Sequence, residues 1–195
     1  MKAFKAAIIL LGRPGSGKDT QAELLAKKFG LTHIVSSKLI KAALKKRKGV
    51  RFEKERRLQK SGFLVAPKFV SILIRAKINS IAGRGKGIIM SASPRTLIEL
   101  KDELPLLKKL YGENTYFFHV EISPKEVYIR NLKRHRKDFP ELDTRKVIKK
   151  RLEVFNHETL PIIKYLKSKK IIFHINGEQP IAKIHRDILK ILPKA

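Results

Sequence analysis

Cysteine is absent from the 195 residues, so neither a disulfide nor a thiolate metal site can form. That composition suits a reducing compartment. No apolar run approaches the roughly 20 residues that cross a bilayer. Met1–Lys5 followed by Ala6–Leu11 has the outline of a secretion signal, but the apolar run is short and no cleavage site follows it. The expectation is a cytoplasmic protein without membrane contact. Acidic residues are scarce as well: 17 Asp plus Glu stand against 45 Lys plus Arg, a formal net charge of +28. Such a field attracts polyanions. It leaves two readings open, a solvated basic surface or contact with RNA or the ribosome. Few aromatics lie among the basic residues, whereas a platform for single strands needs them for stacking. There is no internal repeat, low-complexity tract or linker, so the chain reads as one domain, 1–195, long enough for a sizeable core.

The chain is organised around Ala6–Thr20, AAIILLGRPGSGKDT. Ala7–Leu11 is a continuous apolar run, the pattern of a strand buried on both faces. Gly12, Arg13, Pro14, Gly15, Ser16, Gly17 and Lys18 follow, and Gln21–Lys28 has helical spacing. Strand, glycine-rich loop and helix form the context a phosphate-binding loop requires. Glycines let backbone N–H groups curl toward an anion, and the new helix adds its positive end. Lys18 then reaches the outer phosphates of a nucleoside triphosphate. Asp19 stands where most such loops carry the Ser or Thr that holds magnesium, and Thr20 comes one place later.

Further strands are expected at Thr32–Val35, Ile88–Met90, Tyr116–Ile122 and Ile171–Ile175. Helices are expected at Lys38–Arg47 capped by Ser36 and Ser37, at Arg51–Lys60, from Pro67 to Ile81, and over Leu97–Leu110 with a kink at Pro105. Ser123-Pro124 opens another, Asp143-Thr144 starts a long one through Lys167, and Pro180–Leu192 closes the chain. Strands alternating with helices give a parallel sheet covered on both sides, with ligands beyond its C-terminal edge. Gly12–Thr20, Ser36–Lys41 and Ser91–Thr96 fall there.

These residues carry a resemblance to adenylate kinase and its nucleoside monophosphate kinase relatives. GRPGSGKDTQAELLAKKFGL is similar to that family's opening, SSKLIKAAL to its first monophosphate-binding segment, SGFLV to its Gly-x-Leu-Val stretch and SPRTLIEL to its Pro-Arg-Thr segment. VEISPKEVYIRNL resembles the strand before its lid, KRLEVFNHETLPIIKYL the long helix after it, and INGEQPIAKIHRDIL its last strand and helix. The likeness is collinear over nearly the whole chain. It implies the α/β P-loop fold with a five-stranded parallel sheet, a monophosphate-binding helical insertion at about 36–67 and a short lid at about 133–143. It implies transfer of a phosphoryl group from ATP-Mg²⁺ to a nucleoside monophosphate, AMP first, by a monomer. The donor would lie on Gly12–Thr20 with Arg134 and Arg136. The acceptor would lie on Ser36, Lys41, Leu64, Val65, Arg95 and Glu99. The catalytic set would be Lys18, Arg95 and Lys149.

Several positions depart from the family pattern. Ser91 replaces the aspartate that orients magnesium water, Lys38 replaces another acid, Pro140 an arginine and Leu142 the first acid of a pair kept at Asp143. Lys149, with Lys150 and Arg151 beside it, aligns with a catalytic arginine. Arg134, His135 and Arg136 supply charge before the lid. Glu99 stands where adenine-specific members have Gln, and read alone it is an exposed helix charge. Asp19 has two readings: a magnesium ligand replacing the lost aspartate, or a complement to the helix N-terminus worth about 0.3–1 kcal/mol. Two classes follow, an ATP-dependent nucleoside monophosphate kinase, or a weakly active or non-catalytic nucleotide-binding protein that binds RNA or the ribosome.

Overall fold

The computed structural model describes residues 4–61, 63–134 and 140–193. β1 (Ala7–Leu11) is buried at every position, as its unbroken apolar run requires. It is the central strand of a five-stranded sheet that also contains β2 (Thr32–Val35), β3 (Ile88–Ser91), β4 (Thr115–Glu121) and β5 (Ile172–Asn176). The order is β2-β3-β1-β4-β5, and all pairings are parallel. This is the expected α/β P-loop fold. Alternate residues of β1 feed two cores. Ala7, Ile9 and Leu11 pack with α4 (Pro67–Ala82), α5 (Leu97–Tyr111) and α8 (Leu160–Ser168). Ile8 and Leu10 pack with α1 (Lys18–Phe29) and α9 (Ile181–Leu189). Each fully buried Ile or Leu contributes about 1.5–3 kcal/mol by leaving water. No helix among the described residues is long and apolar enough to cross a membrane.

α2 (Ser36–Lys45) and α3 (Val50–Lys60) form an excursion between β2 and α4. Two bonds from α3 close it: Gln59 Nε2 donates to Ser37 O at 3.0 Å, and the buried Glu55 carboxylate accepts from Ala66 N at 3.0 Å. Ser36 and Ser37 do not cap α2, contrary to the sequence expectation. β2 runs straight into the helix, with Val35 at the cap, and the Ser36 hydroxyl donates to Ala92 O at 3.2 Å instead.

On the far side, α6 (Pro124–Leu132) is capped by Ser123 and α7 (Arg145–Val154) by Thr144, as expected. The single helix expected through Lys167 is interrupted. Phe155–Thr159 takes π-helical form before α8 begins. Pro161 explains the break: it lacks an N–H for the carbonyl four residues back, and its ring crowds that carbonyl. The widened turn brings Thr159 Oγ1 to 3.0 Å from Arg95 O. α5, in contrast, continues through Pro105.

Candidate active site

β1 delivers the glycine-rich loop to the C-terminal edge of the sheet, between β2 and β3 on one side and β4 and β5 on the other. Glycine is required by close approach at two positions. A Cβ on Gly12 would stand 2.4 Å from Val120 O, and one on Gly15, at φ 82°, would stand 2.4 Å from Asn131 Nδ2. Asn131, fully buried, donates to Pro14 O at 3.1 Å and to Val127 O at 2.7 Å, tying the loop to α6. α1 starts at Lys18 without a side-chain cap, so its first N–H groups are left for an anion.

A cavity of about 990 Å³ opens beside this loop. Its lining includes Gly15, Lys18, Asp19 and Arg134 from the donor set, and all six acceptor-side residues: Ser36, Lys41, Leu64, Val65, Arg95 and Glu99. A recess of about 70 Å³ extends it, lined by Gly12, Pro14, Lys18, Arg95, Arg151 and Phe155 among others. The sequence separation of these groups reaches from residue 12 to residue 155, so only the parallel sheet brings them together.

Charge is concentrated here. Lys18 is 9% exposed, and its ammonium donates to Arg13 O at 3.4 Å. Its pKa is lowered to about 8, mainly by burial, with Asp19 opposing the shift and Arg95, Arg151 and Arg134 adding to it. Burial alone would raise the Asp19 pKa, but Lys18, the Ser91 hydroxyl, Arg134 and Arg95 hold it below the usual carboxylate value. Ser91 Oγ also lies 2.9 Å from His33 Nε2. Asp19 and Ser91, the gained acid and the lost one, therefore share one wall of the cavity.

Arg95 is held from both ends. Its Nε donates to Ala92 O at 2.8 Å, and its backbone N–H donates to the Glu99 carboxylate at 2.8 Å. Ala92 takes a left-handed φ of 65°, a costly conformation for a residue with a Cβ, and its carbonyl holds both Arg95 and Ser36. Glu99 is not the exposed helix charge it resembles in sequence. It is 2% exposed. Burial raises its pKa, partly offset by its hydrogen bonds from Arg95 N, Thr96 and Ser93. Glu103 behind it is buried too, and burial and the Glu99 charge push it well up. Ser93 Oγ donates to Glu103 at 3.1 Å.

Among the described residues, the side chains of the predicted site residues Lys149, Thr20 and Arg13 do not line the cavity. Lys149 is exposed and does not line the cavity, while Arg151 does. The helix period alone does not decide this, because Lys149 and Arg151 flank the buried Ile148–Leu152 stripe on opposite sides; the packing of α7 turns the Arg151 flank toward Asn131 and the cavity and leaves Lys149 exposed. Arg151 Nη1 donates to Asn131 Oδ1 and to Leu142 O, both at 3.4 Å. Thr20 is exposed and does not line the cavity. The Arg13 side chain turns away, donating to Ile122 O and lying over the Phe155 ring at 5.6 Å. Arg136 lies outside the described residues, as does His135. Asn131 was missed by sequence reading, because an Asn inside a helix carries no signal until the loop packs on it.

The family model described as Adenylate kinase matches residues 10–171. The sequence is 29% identical over 187 residues to the adenylate kinase of Bacteroides thetaiotaomicron, covering 96% of this chain and 98% of that protein. It is 31% identical over 183 residues to the adenylate kinase of Leptospira biflexa, covering 94% and 97%. It is 29% identical over 181 residues to adenylate kinase 1 of a Nostoc species, covering 93% and 95%.

Proposed function

This chain belongs to the adenylate kinase family and is an ATP-dependent nucleoside monophosphate kinase, and we propose that its acceptor is AMP and that both nucleotides meet in the cavity beside Lys18. The observation that carries the proposal is the lining itself: the donor loop and all six acceptor-side residues face one space. Segment 36–67 then serves as the acceptor-binding insertion and 133–143 as the lid, in a cytoplasmic enzyme.

Phosphoryl transfer asks the protein for positioning and for neutralisation of charge on the moving group. The backbone of Pro14–Lys18 and the start of α1 hold the donor phosphates. Lys18 follows the charge as it moves. Arg95 offers its planar fork to the acceptor phosphate, with Lys41 across the cavity. Arg151 and Arg134 complete a ring of cations that a bound polyphosphate satisfies. Leu64 and Val65 give the acceptor base an apolar wall. Glu99 lines the cavity wall, where its carboxylate can accept a hydrogen bond from an exocyclic amino group of the acceptor base. Steady-state rates with ATP-Mg²⁺ and each monophosphate test the acceptor. AMP is expected to exceed UMP, CMP and GMP in kcat/KM by at least about 10²-fold, the scale of apolar-pocket discrimination, which hydrogen bonds to the base can only enlarge. A preference for a pyrimidine monophosphate overturns the assignment.

Arg95→Lys removes the fork and keeps the charge. It is expected to raise the KM for the monophosphate about 10–100-fold, the loss of one charge-assisted pair, and to leave ATP affinity nearly unchanged. Equal losses for both nucleotides, by kinetics and titration, contradict an acceptor-side role.

Magnesium bound with ATP would supply neutralising charge at the outer phosphates. The donor set fits it: Asp19 is a carboxylate at the cavity wall with its pKa held low, and the Ser91 hydroxyl stands beside it. Asp19 would hold the ion directly or through water. Asp19→Asn is expected to raise the magnesium concentration for half-maximal activity about 10-fold, as removal of one carboxylate partner does at metal sites, with the thermal midpoint nearly unchanged. A lower midpoint with an unmoved magnesium titration leaves Asp19 as a complement to the helix N-terminus only.

A further inference from the structure

At the same C-terminal edge of the sheet, on its β4–β5 side, lies a cluster that the kinase reaction does not use. His119 on β4 is directly paired with His174 on β5 in the sheet register. Glu121 is two residues beyond His119, so its side chain leaves the same face of β4. The two imidazoles present Nδ1 to Nδ1 at 3.3 Å, and the Glu121 carboxylate lies 3.8 Å from His174 Nδ1. One ligand atom from each residue lies within 4.8 Å of the other two. His119 is 3% exposed, and its Nε2 is buried with no hydrogen-bond partner among the described residues. Its rotation is therefore fixed by packing, with Nδ1 directed across the strand pair.

We propose that His119, His174 and Glu121 form a binding site for one divalent transition metal of the zinc class, which staples edge strand β5 to β4. The donor chemistry is two imidazoles and one carboxylate, a set that suits Zn²⁺ and does not suit Mg²⁺ or Ca²⁺. The spacing agrees. With metal–nitrogen bonds of about 2.0–2.1 Å at the tetrahedral angle, two ligand nitrogens stand about 3.3–3.4 Å apart. The histidines already stand at that separation. The carboxylate must close by about half an ångström on His174 and by up to about 1.4 Å on His119 to reach the ligand spacing, and Glu121 and His174 are exposed enough to move. The remaining position faces solvent and would take water. The cation facing His119 is Arg13, whose guanidinium is drawn off by Ile122 O and the Phe155 ring. Glu121 supplies the negative charge.

The staple would reach toward the nucleotide loop. Gly177 N donates to Glu121 O at 2.7 Å, and Arg130 Nη2 donates to Gly177 O at 2.9 Å, so the turn after β5 is tied to the same residue and to α6.

The full chain, stripped with a chelator and free of nucleotide, is titrated with Zn²⁺ by calorimetry and with Co²⁺ by visible absorption. One equivalent is expected to bind with micromolar or tighter affinity, with tetrahedral Co²⁺ bands and a thermal midpoint raised by about 5 °C at saturation. Mg²⁺ and Ca²⁺ are expected to do neither. His174→Gln, an exposed change that leaves the metal-free fold intact by circular dichroism, is expected to weaken Zn²⁺ at least 10-fold without altering the kinase rate. His119→Gln and Glu121→Gln should weaken it in the same direction. The proposal is overturned if no stoichiometric Zn²⁺ binds, or if binding survives in His174→Gln unchanged, which assigns the metal to other histidines.

Discussion

Lys18→Ala is expected to lower kcat by about 10³-fold or more while the fold is kept, because charge that follows a transferred phosphoryl group is worth 10³–10⁵ in rate. Its ammonium is the one cation that leaves from the loop itself and lines both the cavity and its recess. The same residue sets a pH signature. In the free enzyme burial and neighbouring arginines lower its pKa to about 8. Phosphate beside it favours the ammonium and raises that value. Below pH 8 Lys18 is charged in both states and ATP affinity does not vary with its titration. Above pH 8 the free form loses its proton, the bound form keeps it, and affinity falls as binding takes up a proton. Calorimetry in buffers of different ionisation enthalpy reads this uptake directly. In Lys18→Ala the uptake should vanish. Wild-type turnover in that variant contradicts the mechanism.

Arg151→Ala is expected to lower kcat about 10²–10³-fold, the cost of removing one donor aimed at developing charge. Lys149→Ala should change it less than twofold. The two differ by where α7 points them: they flank the buried Ile148–Leu152 stripe on opposite sides, and Arg151 lines both cavity and recess while Lys149 faces solvent. Arg151 also bonds Asn131, which holds the loop carbonyl of Pro14, so part of its effect passes through loop position. Thermal midpoints for both variants and Asn131→Ala separate the two contributions. A large rate loss in Lys149→Ala with Arg151→Ala near wild type restores the reading by alignment.

How far the sequence led depends on what kind of signal each feature leaves. β1 and the glycine loop were readable because burial on both faces demands an unbroken apolar run, and a cradle for phosphate demands glycines at fixed spacing. The acceptor residues were readable through collinear resemblance, and all six came together in one cavity. Features set by tertiary packing were not readable. Glu99 looked exposed because a helix charge is normally solvated, yet Ser93, Arg95 N and the Glu103 layer enclose it. The choice between Lys149 and Arg151 turned on which flank of the Ile148–Leu152 stripe meets α6 and the cavity, a matter of packing and not of period. Ser36 gave up capping for Ala92 O, which only the folded loop presents. The π turn at Phe155–Thr159 followed from Pro161, a residue the sequence reading placed inside an unbroken helix. His119 and His174 meet across 55 residues of chain through strand register, which no local pattern announces.

The central claim is that the cavity beside Lys18 joins ATP to AMP. Phosphorus NMR of the enzyme with ATP, AMP and magnesium tests it most directly. The account expects the ATP γ-phosphorus signal to decay with the rise of ADP alone, two ADP for each ATP and AMP consumed, and no inorganic phosphate. Release of inorganic phosphate with AMP left intact, or no change in either nucleotide, would contradict it.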